Sequence, residues 1–89
     1  MIKEWLTRKT NVEDCEREHV VRNEQLGADP IPFGFINQEW LALKSQIQEG
    51  DELWEFSSPP EDWKHFRGRG GICIVRRGEI VGSIVIVEN

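Results

Sequence analysis

Apolar residues recur along this chain with two different periods, and the change falls at Gly50. Over residues 36–47 the spacing is helical, with Ile36, Trp40, Leu43 and Ile47 on one face. Asn37 is a suitable N-cap, Glu39 lies in the first turn where the helix dipole favours a carboxylate, and Gly50 ends the run. Ile36 and Leu41 stand at the two positions of a hydrophobic staple, so the pattern predicts a helix over 38–49. After Gly50 the period is two: Glu52, Trp54 and Phe56 face one way, Asp51, Leu53 and Glu55 the other. Strands are expected near 51–57, 72–77 and 79–87, the last two forming a hairpin about Arg77-Gly78. The final strand is apolar on both faces, Ile80, Ile84 and Ile86 on one and Val81, Val85 and Val87 on the other. An exposed strand of that kind aggregates, so it is expected to be central or covered by a partner.

The first third reads less sharply. Residues 1–7 alternate loosely and suit a short edge strand. Thr10-Asn11-Val12-Glu13 has the form of a capping box, predicting a helix over about 11–26 that Gly27 stops. Its apolar stripe is thin (Val12, Cys15, His19, Leu26), and Glu13, Glu16, Arg17 and Glu24 make it a surface helix. Ala28-Asp29-Pro30-Ile31-Pro32 breaks regular structure. Ser58-Pro59-Pro60-Glu61 repeats the cap logic and predicts one or two helical turns over 59–66. The expected fold is one α+β domain over 1–89: a small antiparallel sheet of three or four strands packed by one amphipathic helix. The second, charged helix lies peripherally.

Composition narrows the function classes. Eighty-nine residues with 38% apolar content support one small core, and seven of the eight aromatics fall in residues 31–89. Sixteen acids against eleven bases give a charge of −5, the wrong sign for a general nucleic-acid or anionic-membrane binder. The longest apolar runs are four residues, too short to span a bilayer, and the charged first twenty residues lack a secretory h-region. Two cysteines make no disulfide framework; reduced thiols in the cytoplasm are the simplest reading.

Little points to catalysis. Cys15 and His19, at i and i+4, are two candidate metal ligands, and only Cys73 and His65 remain to complete a set. Packing of a small thiol is the simpler account, and no metal or cofactor is expected. A nucleophile would need Cys73 or a serine beside His65 or His19, yet Cys73 sits in an apolar strand where its pKa should rise. No G-x-S-x-G elbow, H-E-x-x-H or P-loop is present, which disfavours an enzyme.

Charge segregation is the distinctive feature. Residues 49–62 carry six acids and no base; residues 64–77 carry five bases and no acid. Either the two blocks neutralise one another across strands, Glu52 or Glu55 against Arg76 or Arg77, or the basic segment binds an anion, with Trp63, His65 and Phe66 interleaved to stack a base. Trp40 and Trp54 lie on stripes that suit the core, whereas Trp63 sits in a polar segment beside Arg67 and Arg69. Tryptophan and arginine are favoured interface anchors, so Trp63, Arg67 and Arg69 form the candidate binding surface. The competing reading folds Trp63 back as a lid on the core.

The run Gly50-Asp51-Glu52-Leu53-Trp54-Glu55-Phe56-Ser57-Ser58-Pro59-Pro60-Glu61-Asp62-Trp63, followed by Gly68-Arg69-Gly70-Gly71 and the hairpin, resembles a family of small bacterial proteins with no assigned activity. The likeness covers the C-terminal half, more weakly residues 33–43; it implies a bacterial cytosolic setting and carries no functional residue. The expected function is a small cytosolic interaction module that binds a protein partner, with self-association open to the apolar C-terminal strand. The alternative is a weak anionic-ligand or nucleic-acid binder acting through residues 64–77.

Overall fold

The computed structural model describes residues 3–21, 31, 32 and 36–89. In chain order a 3-10 turn, Lys3–Trp5, leads to β1 (Leu6–Thr10), α1 (Val12–Glu18), β2 (Val20–Val21) and β3 (Ile31–Pro32). Then follow α2 (Asn37–Lys44), β4 (Glu52–Ser57), α3 (Pro60–Lys64), β5 (Arg69–Arg76) and β6 (Glu79–Glu88). The fold is α+β, around a four-stranded antiparallel sheet in the order β1-β4-β5-β6; β2 and β3 form a separate antiparallel pair.

Alternation along the strands sorts side chains onto two faces. Leu53 opposite Ile74, and Ile72 opposite Ile84, point towards the helices. There they bury Cys15 of α1 with Trp40 and Leu43 of α2, while Val12, Ile36 and Ile47 close the margins. Full burial of each such aliphatic or aromatic group stabilises the fold by roughly 1.5–3 kcal/mol. On the other face Phe56, Cys73 and Val75 are buried beneath Trp5, Leu6, Trp54 and Ile80. Lys3 reaches Glu79 at 3.9 Å, although β1 and β6 are opposite edges of the sheet. With Trp5 packed on the helix-free cluster, that contact lays the 3-10 turn across this face.

Several boundaries differ from expectation. The first strand is 6–10 rather than 1–7, and Thr10 ends it, so the N-cap passes to Asn11, whose side chain accepts from the Asp14 N–H at 2.9 Å. The first helix stops at Glu18 because the β-branched pair Val20 and Val21 joins a strand; Leu26 and Gly27 lie outside the described residues. Its charged side is exposed at Glu13, Arg17 and Glu18, as a surface helix requires. Helix α2 ends at Lys44, where the Ser45 hydroxyl and Gln46 amide both donate to the Ala42 carbonyl. Leu41 is exposed, so it makes no staple with Ile36. Trp54 belongs to the helix-free face and is half-buried, unlike Trp40, because its alternation partner set includes Cys73 and not Leu53.

The hairpin forms as expected. Arg77 (φ 52°) and Gly78 (φ 80°) both take positive φ, as in a two-residue turn whose twist matches the strands. Strand β6, however, is an edge strand. Its ladder with β5 slips once between Ile74 and Val75 and once between Gly70 and Gly71, leaving Val81 and Ile86 as extra residues. Such bulges increase local twist and are a common means of disarming an apolar edge.

Candidate functional site

Ser58, expected to cap α3, instead continues the sheet. Its N–H donates to the Arg69 carbonyl at 2.8 Å, and its hydroxyl accepts from the Arg69 N–H at 2.9 Å. Anchored there, Pro59 and Pro60 start the short α3 at the end of the sheet. This places Trp63 over the backbone of the returning strand. The Trp63 indole N–H is shared between the Ser57 hydroxyl and the Ser58 carbonyl, each at 3.1 Å. A Cβ built on Gly68 would stand 2.1 Å from the indole, so only glycine lets the ring lie flat here. Trp63 is therefore half-buried, closer to the lid than to a freely exposed anchor.

The chain leaves α3 through a Schellman turn. The Phe66 N–H donates to the Trp63 carbonyl at 3.3 Å and the Arg67 N–H to the Asp62 carbonyl at 2.8 Å. Glycine ordinarily occupies the left-handed position of this motif; here it is Phe66, at φ 57°. A side chain in that conformation destabilises by roughly 1–2 kcal/mol. The ring gains no packing in return, since Phe66 is 79% exposed. Asn89 holds the same loop from outside, its side chain accepting from the Gly68 N–H and donating to the Trp63 carbonyl, both at 2.8 Å.

The electrostatics of the segment are equally one-sided. Lys3, Arg8, Lys9, Arg17, Lys44 and Arg76 each pair with an acid of the chain. The Arg76 pair is the most enclosed of these: two guanidinium nitrogens donate to Asp51 at 2.9 Å, and the Asp51 side chain is almost fully enclosed. Among the described residues Lys64, Arg67, Arg69 and Arg77 form no such pair. The acidic block thus neutralises Arg76 alone of the basic one, because Glu52 is matched with Lys9 and Glu55 with Arg8 across the β1 edge. Three of the four remaining cations, all exposed, surround Phe66 in sequence.

Two concavities meet at Trp63. A groove of about 720 Å³ runs between the 3-10 turn and α3, walled by Trp5, Pro59, Pro60 and Trp63, with Glu4 and Lys64 on its margins. On the other side of the indole a cavity of about 220 Å³ reaches His19 and Glu55. Glu18, His19 and Glu55 offer three donor atoms within 4.8 Å of one another, a spacing that suits a metal ion. Arg8 answers that charge from within the chain, donating to Glu55 at 2.5 Å and to Glu18 at 2.6 Å.

The other chemical readings are taken apart by the fold. Cys15 lies on the helix side of the sheet and Cys73 on the opposite side, so the two thiols cannot share an ion with His19. Burial raises the pKa of the Cys15 thiol, and it pushes that of Cys73 up to about 11, away from nucleophilic use. Among the described residues no helix is long and apolar enough to cross a membrane. Comparison of the chain with protein-family models, curated proteins and solved structures returns no match. Sequence reasoning brought forward Trp63, Arg67 and Arg69, named Phe66 only as an aromatic neighbour interleaved with the basic segment, and missed Asn89. The strained placement of Phe66 was detectable in principle, as that of the bulky residue standing where a short helix followed by a loop needs a left-handed cap.

Proposed function

We propose that this chain is a protein-interaction module whose contact surface is the loop of residues 63–69 together with the adjoining groove. The observation that carries this reading is Phe66, strained in its backbone and 79% exposed in its side chain. Such a residue lowers stability in two ways, and strain of this kind is maintained where an outward side chain has work to do. Lys64, Arg67 and Arg69, which pair with no acid among the described residues, supply positive charge beside it, and Trp63 forms the floor. The complementary partner is a protein with an apolar pocket for one aromatic ring and carboxylates on its rim. Buried, unpaired Cys15 and Cys73 on opposite sheet faces support a reducing cytosolic setting.

A second reading rests on the same residues. An exposed ring among three cations also suits a stacked base, so single-stranded nucleic acid is the alternative ligand. The net charge of −5 opposes it. Substitution of Phe66 by a photo-crosslinking phenylalanine analogue, expressed in the native host, tests the two together. One dominant protein adduct, absent when the same group replaces exposed Leu41, is the expected result. Adducts to nucleic acid would favour the alternative, and equal labelling from both positions would remove the proposed surface.

A further inference from the structure

We infer that the outer edge of β6 docks an extended, basic segment of another protein by strand addition, at a surface separate from the Phe66 loop. Three of the large exposed aliphatic side chains, Val81, Val85 and Val87, belong to this one strand. Its bulges at Val81 and Ile86 leave residues 82–85 as a regular stretch, and an edge strand presents one row of its N–H and C=O groups outward. Above that stretch a groove of about 300 Å³ opens between α2 and β6, lined by Glu39, Ala42, Gln46 and Ser83. Gly82 keeps it open, because a Cβ there would stand 3.1 Å from Leu43 Cδ1 and 3.3 Å from the Gln46 side chain. Backbone pairing and a side-chain slot therefore coincide over the same residues.

Charge selects the occupant. Glu39 lies on the groove wall, and Glu79 and Glu88 stand at the two ends of the strand. A second copy pairing antiparallel about residues 82–85 would bring Glu79 and Glu88 towards one another just beyond both ends of the ladder, and like charges there oppose the pairing. A segment with β-branched residues at its centre and lysine or arginine at its flanks meets Glu39 and Glu88, and at the far end shares Glu79 with Lys3, which lies 3.9 Å from it. The bulges limit the ladder to its central residues, which confines docking to a short motif.

The probe is the synthetic peptide acetyl-Lys-Val-Lys-Val-Thr-Val-Lys-amide, titrated into the 15N-labelled full chain. Shifts should centre on residues 82–85, with amide exchange slowed at alternate residues of that stretch, and Glu39→Lys should weaken binding roughly tenfold, with retained spectral dispersion showing that the variant folds. A peptide with glutamate in place of lysine should not bind. Phe66→Gly should leave the titration unchanged, so this inference and the Phe66 reading stand or fall separately. Shifts centred elsewhere, or none at millimolar peptide, would overturn the inference. So would sedimentation of the chain alone as a dimer with protected β6 amides, since the occupant would then be a second copy.

Discussion

The Trp40 indole N–H donates to Glu16 Oε2 at 2.8 Å, and this bond ties the charged first helix to the one that fills the core. Lys44 donates to the same oxygen at 3.1 Å, so Glu16 is held by both a buried donor and a cation of α2. These partners, Trp40 first, draw the Glu16 pKa below the ordinary glutamate range. A depressed carboxylate contributes stability that is fully present above its unfolded pKa and is lost as pH falls through the folded one. Denaturation midpoints should therefore decline on acidification in wild type and decline less in Glu16→Gln. Glu16→Ala at neutral pH leaves a buried indole N–H without this acceptor, a loss of about 1–3 kcal/mol. Equal acid sensitivity in wild type and Glu16→Gln would dismiss the linkage.

The two central tryptophans should respond differently to truncation. Trp40 is fully buried between sheet and helices, so Trp40→Ala should lose about 3–5 kcal/mol and threaten folding in so small a domain. Trp54 covers the helix-free face and is half-buried, so Trp54→Ala should lose distinctly less. Urea midpoints of the two variants, compared under one set of conditions, decide the order. A reversed order would contradict the division of the sheet into these faces.

That asymmetry shows where the sequence is legible. Period two along 51–57 identified which residues share a face, and the helical spacing of Ile36, Trp40 and Leu43 identified the helix that packs on the sheet. Alternation alone cannot say which of two apolar faces meets the helix, since Trp54 and Leu53 are both suitable; the topology decides. The ends of helices were misread where a local signal had a competing tertiary use. Ser58 resembles a cap in sequence, yet the Arg69 backbone takes its hydroxyl and its N–H. The edge position of β6 was equally hidden, because bulges that protect an apolar edge are set by pairing register rather than by composition. Within the candidate site, Arg67 and Arg69 were visible from charge segregation and Phe66 as their aromatic neighbour, whereas the strained, outward placement of Phe66 became visible only through its φ angle and exposure.

Cys73 offers a direct check of the reading against catalysis. Enclosed on the helix-free face, with its pKa pushed up to about 11, it should react slowly with a thiol reagent in the native state and rapidly in denaturant. Cys15 should behave alike, since burial raises its pKa too. Rapid native-state alkylation of Cys73, located by mass spectrometry, would restore a nucleophile to consideration.

Phe66 should show opposite effects on stability and binding. Phe66→Gly relieves the left-handed strain and should raise stability by about 1 kcal/mol, read from the denaturation midpoint. Phe66→Ala keeps a Cβ in the strained position and should leave stability nearly unchanged. Both remove the ring, so both should abolish capture of the partner that crosslinks at this position. Stability lost in Phe66→Gly would mean that the ring packs in solution.

The support beneath that loop can be tested without knowing any partner. Gly68 and Trp63 are fitted face to backbone, and the indole is pinned on its far side by Ser57 and Ser58. The ring cannot retreat from an added methyl group without surrendering those hydrogen bonds. Gly68→Ala should therefore destabilise by about 1–3 kcal/mol, the usual range for forcing extra volume into a packed site. Trp63→Ala alone should also destabilise, by losing the indole contacts and its two acceptors. In the double variant the added methyl group meets no ring, so its penalty should largely vanish. The double-mutant cycle then reports a coupling of about 1–2 kcal/mol between the two positions, where independent sites would simply add. Additive losses would show that the Trp63 ring does not rest on Gly68.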